Sequence, residues 1–211
     1  MKINPTFVYE ESLWQQGYFL IAGIDEAGRG AWAGPVMAGA VIFPSDPDLG
    51  IKLNGIRDSK LMTPAEREAA VKMIDSNAIC WAVGSADNQE IDRLGILPAT
   101  RLAMGRAVSK LTVCPDHLLI DYVRLPNQLI PQKSIPKGDM NSFSIAAASI
   151  MAKVTRDHWM AEVCAKEFPG YGFDCHKGYG TAFHRARLDE LGPCKFHRMT
   201  FHPIARDLKL F

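Results

Sequence analysis

An apolar run beginning at Phe19 ends in two adjacent carboxylates, Asp25 and Glu26, and passes directly into the glycine-rich corner Gly28-Arg29-Gly30. A run of this length bounded by glycines reads as a buried strand, and buried strands seldom carry acids unless a cation meets them. A second apolar run, His117 to Tyr122, carries Asp121 at its end, and Asp139 stands just before a long helical segment whose positive end would hold a carboxyl ionised. Alternating strands and helices bring such ends to one edge of a sheet, which makes Asp25, Glu26, Asp121 and Asp139 candidate catalytic acids and metal ligands. Clustered carboxylates are hard donors suited to Mg2+ or Mn2+. Two such ions bridged by one aspartate activate a water and stabilise a leaving oxygen in phosphodiester hydrolysis, which is nuclease chemistry. Neighbouring side chains on a regular strand point to opposite faces, so Asp25 and Glu26 share one site only if the strand ends, twists or bulges between them. The competing structural account is that Asp25 opens an ordinary turn, Arg29 neutralises the pair and Asp139 caps a helix.

The corner is a second candidate. Glycines at 28 and 30 leave backbone N–H groups bare enough to approach a phosphate or a sugar hydroxyl, with Arg29 beside them as a fixed cation. Tyr179, between Gly178 and Gly180 and next to Lys177, is poorly placed for the core and well placed to stack on a nucleotide; the alternative is a loop anchor. Cys175, His176, Cys194 and His197 raise a zinc alternative, which the adjacency of Cys175 and His176 disfavours for one tetrahedral site. Asp46, Asp48, Asp58, Asp87, Asp92 and Asp157 lie in polar contexts and read as surface or capping charges, Asp157 being also a candidate for an outer position around the site. The chain carries no nucleophile elbow, P-loop or dinucleotide fingerprint.

The elements that must position these groups are legible in outline. Met1 to Gln16 reads as an amphipathic lead-in that docks Phe7, Leu13 and Trp14 on the core. The strand to about Glu26 and the run Val36 to Phe43 are expected to pair as a hairpin. Thr63-Pro64-Ala65-Glu66 has the N-cap, first-turn proline and Glu three residues on that open a helix, which runs to about Ser76. Ile79 to Ala86 is a third strand, and Gln89 to Leu111 contains a helix with Leu94, Leu97, Leu102 and Val108 for the core. His117 to Tyr122 is a buried strand, and Ser134 to Pro136 a short edge strand among prolines. A long helix begins around Asn141 to Ser144, presses close to the sheet through Ala146 to Ser149, and runs to about Glu167; Thr181 to Leu191 is a last helix.

At 211 residues with 47% hydrophobic side chains, the chain suits one globular domain. A net charge of +1 means that any affinity for nucleic acid must come from local patches. From Lys153 onward, ten Lys or Arg face seven Asp or Glu, a mildly basic last third. Five widely spaced cysteines without a C-x-x-C pair point to a reducing compartment, and no signal peptide or membrane-length run is visible, so a soluble cytoplasmic protein is expected. A monomer is the default, with no strip of exposed apolar residues evident.

The blocks IAGIDEAGRGAWAGPV, RDSKLMTP, HLLIDY, KGD, SIAAASIMAKVTRD, HKGYGT and HRMTFHP, in this order and spanning nearly the whole chain, closely resemble the type 2 ribonucleases H, ribonuclease HII. Only about two dozen residues precede Asp25, against the extra N-terminal domain of ribonuclease HIII. The resemblance implies an α/β ribonuclease H-like fold, a mixed five-stranded sheet flanked by helices. It implies a catalytic core over 1–168 and a small helical C-terminal segment, 169–211, that helps hold the duplex within the same compact unit. Asp25, Glu26, Asp121 and Asp139 match the family's metal-binding catalytic acids, with Asp25 bridging two Mg2+ or Mn2+ ions. Gly28, Arg29 and Gly30 match the corner that senses the ribose 2'-hydroxyl at an RNA-to-DNA junction, Tyr179 the tyrosine that packs on the neighbouring sugar, and Lys60 a phosphate contact. Lys153 and Lys177 are weaker candidates, suggested by proximity alone.

The implied partners are RNA/DNA hybrids and DNA duplexes holding an embedded ribonucleotide, cut to leave 5'-phosphate and 3'-hydroxyl. Tyr122 stands where the family usually has glycine, which puts the shape of the loop beyond Asp121 in question. No sliding-clamp motif is evident in Asp207 to Phe211. Two rivals remain: another two-metal nuclease on this fold, HIII-like or resolvase-like, and a binding module whose acids do not turn over substrate. A resolvase-like enzyme would keep the acids but lack the Arg29 corner and Tyr179, and the binding module would lack at least one acid.

Overall fold

The computed structural model describes residues 5–207. Strands β1 (Ile21–Ala27), β2 (Val36–Ile42), β3 (Cys80–Ala86), β4 (His117–Asp121) and β5 (Gln132–Ile135) form one sheet in the order β3-β2-β1-β4-β5. β1 pairs antiparallel with β2, the expected hairpin, and β2 antiparallel with β3. β4 joins β1 in parallel and β5 joins β4 in parallel, so the sheet is mixed, as expected. β1 and β2 are buried along almost their whole length, which explains why they read as near-continuous apolar runs and not as alternating strands.

Two helices sandwich the sheet. Phe143–Trp159 lies across β1 and β2 on one face, and Ile96–Ser109 lies across β2 and β3 on the other. The first is pressed tightly down: a Cβ at Gly23 would lie 2.1 Å from the Ser144 carbonyl carbon, and one at Gly39 would lie 2.3 Å from the Ala148 carbonyl oxygen. Small residues on both sides of this interface, the glycines below and Ala146 to Ala148 above, bring the helix start down beside the acids of β1.

Local sequence signals hold at most boundaries. The helix Pro64–Asn77 opens with the expected capping box: Thr63 Oγ1 accepts the Glu66 N–H at 3.2 Å, and the Thr63 N–H reaches Glu66 Oε2 at 2.7 Å. Three expectations change. The 89–111 segment is two helices, Asn88–Leu94 and Ile96–Ser109, broken at Gly95 (φ +82°). This turn in the axis leaves Leu94 and Leu97 41% and 40% exposed, while Val108 stays buried. The long helix passes at Met160–Cys164 into a wider-wound turn before Ala165–Glu167. Asp139 lies in its own short turn, Gly138–Asn141, and so does not cap the long helix. Ser142 does, accepting the Ile145 N–H at 3.2 Å. The lead-in helix Val8–Trp14 supports this start from below, since Glu10 Oε1 accepts from Ser142 Oγ at 2.6 Å and from the Ser144 N–H at 3.0 Å.

The C-terminal segment folds back on the β1–β2 connection. Arg198 N–H donates to the Trp32 carbonyl at 2.8 Å and Gly34 N–H to the Phe196 carbonyl at 2.9 Å. Beneath them Tyr171, Phe173, Met160 and Cys164 form a small apolar cluster of their own. Of the tail in which a clamp motif was sought, residues 208–211 lie outside the described residues.

Candidate active site

Asp25 sits opposite Gly39 in the β1–β2 ladder and is 3% exposed. That ladder runs without a bulge from Ala22 opposite Ile42 to Ala27 opposite Met37, so no break in β1 separates Asp25 from Glu26. The opening is on the other side. Pairing with β4 stops at Ile24 opposite Ile120, and Asp121, the last residue of β4, stands beside the part of β1 that has lost its neighbour. The turn holding Asp139 closes over the same point, its Gly138 N–H donating to Asp121 Oδ1 at 2.7 Å.

The four predicted acids therefore lie within electrostatic reach of one another. Burial, then the charges of Glu26, Asp121 and Asp139, pushes the Asp25 carboxyl well above the usual range, although its Oδ1 accepts the Glu26 N–H at 2.7 Å. Asp121 is likewise raised by burial and by Asp139 and Glu26, against the opposing bond from Gly138. Two cations hold the rim. Arg29 Nη1 lies 2.9 Å from Glu26 Oε1, the neutralising contact of the plain structural account, and Lys60 Nζ lies 3.2 Å from Asp139 Oδ2. Lys60 is thus engaged with an acid of the cluster while most of its side chain stays exposed.

These residues fit a divalent cation. Glu26 Oε2 is buried with no hydrogen-bond partner, an anionic oxygen left short of positive charge in a cluster of hard donors. Among the described residues no three acids, histidines or cysteines are already drawn into closed ligand geometry.

The corner adjoins the acids. Gly28 has φ +91°, and a Cβ there would lie 2.1 Å from Arg156 Nε, so glycine is required by both conformation and packing. Gly30 has open space where a Cβ would stand. Among the described residues the N–H groups of Arg29 and Gly30 donate to nothing, while the carbonyls of Gly28 and Arg29 are tied back to the Arg198 guanidinium at 2.8 and 2.9 Å. Tyr179 is half-buried, with Lys153 Nζ and Arg156 Cζ each 5.3 Å from its ring centroid. Lys153 is also paired with Asp157 at 2.7 Å, and Asp157 faces Arg67, so it supports the Tyr179 side and not the acids. A cleft of about 480 Å3 lined by Arg67, Lys153, Lys177 and Tyr179 runs alongside. The larger cleft, about 770 Å3, lies between the Ile96–Ser109 helix and residues 125–128 and contains none of the site residues.

The soft ligands of the zinc alternative do not converge. Cys175 is exposed. His176 Nε2 donates to the Tyr171 carbonyl at 2.8 Å and its Nδ1 accepts the Gly178 N–H at 3.1 Å. His197 Nδ1 accepts the Cys194 N–H at 2.9 Å, and its Nε2 meets His184 Nε2 at 3.0 Å.

Sequence reasoning missed Arg156 and Arg198, both fully buried and both holding the corner. A signal was present for the first: Ala148, Ala152, Arg156, Met160 and Cys164 recur at every fourth position, so Arg156 falls on the buried stripe of its helix, where an arginine must have a fixed task.

A five-stranded mixed sheet in this order, with acids where β1 and β4 part, defines the chain as a protein of the ribonuclease H-like fold. The ribonuclease H2 structure from Pyrococcus horikoshii shares it with a TM-score of 0.72 at 23% identity, over 90% of this chain and 97% of the other. The ribonuclease HII of a PCNA complex from Archaeoglobus fulgidus shares it with a TM-score of 0.71 at 27% identity, over 86% and 95%. The Ribonuclease HII family profile matches residues 22–204, and the chain belongs to that family. Ribonuclease HII of Roseiflexus castenholzii is 52% identical over 209 residues, covering 97% of this chain and 92% of the relative. That of Dehalococcoides mccartyi (strain ATCC BAA-2266) is 52% identical over 203 residues, covering 96% and 95%. No helix among the described residues is long and apolar enough to cross a membrane.

Proposed function

We propose that this chain is an endonuclease that hydrolyses the RNA strand of RNA/DNA hybrids and incises 5' of single ribonucleotides embedded in duplex DNA. The observation that carries this beyond family membership is the placement of the four-acid cluster beside a corner whose Arg29 and Gly30 N–H groups are unpartnered. Two divalent ions, Mg2+ or Mn2+, held by Asp25, Glu26, Asp121 and Asp139, would supply the Lewis acidity that activates a water and steadies the leaving 3' oxygen. The rest falls to the chain itself. Burial and mutual repulsion make the four carboxylates a poor place for anything but concentrated positive charge. Arg29 and Lys60, paired with Glu26 and Asp139, are placed to turn to phosphate once those acids are neutralised by metal.

Among the described residues nothing lies within 4 Å of a Cβ placed at Gly30, so the open space there leaves room for a ribose 2'-hydroxyl to come against the bare N–H groups. Tyr179, braced by two cations, offers a flat face for the next sugar. Such recognition uses sugar and backbone and leaves base sequence unread.

The test is to incubate the protein with a duplex holding one ribonucleotide, beside all-DNA and long RNA/DNA controls, with Mg2+, Mn2+ or EDTA. Metal-dependent incision just 5' of the ribonucleotide, abolished by Asp25→Asn and weakened by Tyr179→Ala, is expected. Cutting of long hybrids alone would favour HIII-like behaviour. Tight binding with no cleavage in any metal would favour the binding module.

A further inference from the structure

The proposed sensor has two halves far apart in sequence, the Gly28-Arg29-Gly30 corner and the Tyr179 loop, and the same buried guanidinium touches both. Arg156 Nε donates to the Pro35 carbonyl at 2.8 Å and Nη2 to the Ala33 carbonyl at 3.0 Å, at the far end of the corner's loop. Its Nη1 donates to the Lys177 carbonyl at 2.9 Å, two residues before Tyr179, whose ring it also underlies. Arg198 spans the corner's loop, holding the carbonyls of Gly28 and Arg29 at its near end and that of Gly34 at its far end. Neither guanidinium has a carboxylate within ion-pair distance among the described residues. A plain structural arginine this deep would be expected to meet an acid, because burial of an unpaired cation is costly. Here the acceptors are backbone carbonyls alone, those of Ala33, Pro35 and Lys177 for Arg156 and those of Gly28, Arg29 and Gly34 for Arg198.

The two halves are in direct contact as well. Trp32 N–H donates to the Gly178 carbonyl at 2.8 Å. A Cβ at Gly178 would lie 2.6 Å from the Ala33 carbonyl oxygen, so glycine is what lets the loops meet.

We infer that Arg156 is a specificity-determining positioning residue: its fork of donors sets the distance between the corner and Tyr179, and that distance is the ruler by which a single ribonucleotide is told from DNA. This rests on the function proposed above and adds to it a residue that touches neither the metal site nor the substrate. The consequence is selective. A long hybrid offers a 2'-hydroxyl at every step, so a corner shifted relative to Tyr179 still finds one in some register. A single embedded ribonucleotide offers one productive register only, and a misplacement of about 1 Å can cost on the order of 100-fold.

The experiment compares cleavage rates on the single-ribonucleotide duplex and on a long RNA/DNA hybrid, in the same metal, for the parent, Arg156→Lys and Gly178→Ala. Lysine keeps the charge but not the fork. Gly178→Ala drives the same two loops apart while leaving the guanidinium intact. Thermal melts establish that each variant is folded. The ratio of the two rates, single over long, is expected to fall about tenfold or more in both variants. A merely structural role would lower both rates together, and a ratio that stays within about twofold of the parent in a folded variant would overturn the inference. A parent enzyme that cut neither substrate would overturn the functional proposal itself, and this inference with it.

Discussion

At the scale of single residues, the site is an arrangement of charges that the fold tolerates without favouring. Asp25 is buried among three other acids, and its carboxyl is raised first by that burial. A carboxyl raised in the folded state binds its proton more tightly there than in the unfolded chain, so its contribution to stability is present below the ordinary carboxylate range and is lost as pH rises and it ionises. Asp25→Asn removes that loss. In EDTA it should stabilise the protein by on the order of 1–3 kcal/mol at pH 8 and by much less near pH 4, while abolishing cleavage. Urea denaturation of parent and variant at the two pH values checks this; a variant less stable than the parent at pH 8 would contradict the account. Tyr122 belongs to the same scale. It has φ +54° and is largely exposed, a left-handed backbone that a tyrosine adopts at some cost in strain and that a glycine would adopt freely.

At the scale of elements, the loop that carries Tyr179 is backed by three buried imidazoles, His176, His184 and His197. His184 Nδ1 donates to the Tyr179 carbonyl at 3.0 Å, leaving its Nε2 to accept from His197 Nε2–H, while His176 accepts the Gly178 N–H. Each ring has one donor and one acceptor role, and a further proton on His184 or His197 would set two donors face to face. Burial comes first among the causes that push both down, to about 4. A group depressed in the folded state adds stability that is present above its unfolded value near 6.5 and is lost as pH falls toward 4. Several kcal/mol should therefore disappear between pH 6.5 and 4, with the amides of residues 171–198 losing hydrogen-exchange protection before those of β1 and β2. Equal loss across the sheet and this segment would argue against a local cause.

At the scale of the whole molecule, the described part of the segment after residue 168 is tied into the β1–β2 connection. Arg198 ties the carbonyls of Gly28, Arg29 and Gly34, and the 194–198 strip bonds to residues 32–34. We therefore expect one cooperative unfolding transition, with tryptophan fluorescence and far-ultraviolet circular dichroism superimposing in urea. Two separated transitions would mean that the two parts fold as independent domains. A chain cut after residue 168 should not bind substrate, since its corner carbonyls would be released.

How much of this was legible in advance follows from the range of the interactions. Strand runs, the Thr63 capping box and the acids at strand ends depend on neighbours a few residues away, and the sequence by itself determined them. Family membership rests on the order of those same local blocks. Only the tertiary structure decided that β1 runs unbroken past Asp25 and that the acids meet because β4 ends beside it. It alone joined Lys60 to Asp139, 79 residues apart, and Arg156 to Pro35, 121 residues apart. The physical reason is that a buried cation is placed by the acceptors that surround it, and those come from segments whose approach is settled only by packing the whole chain.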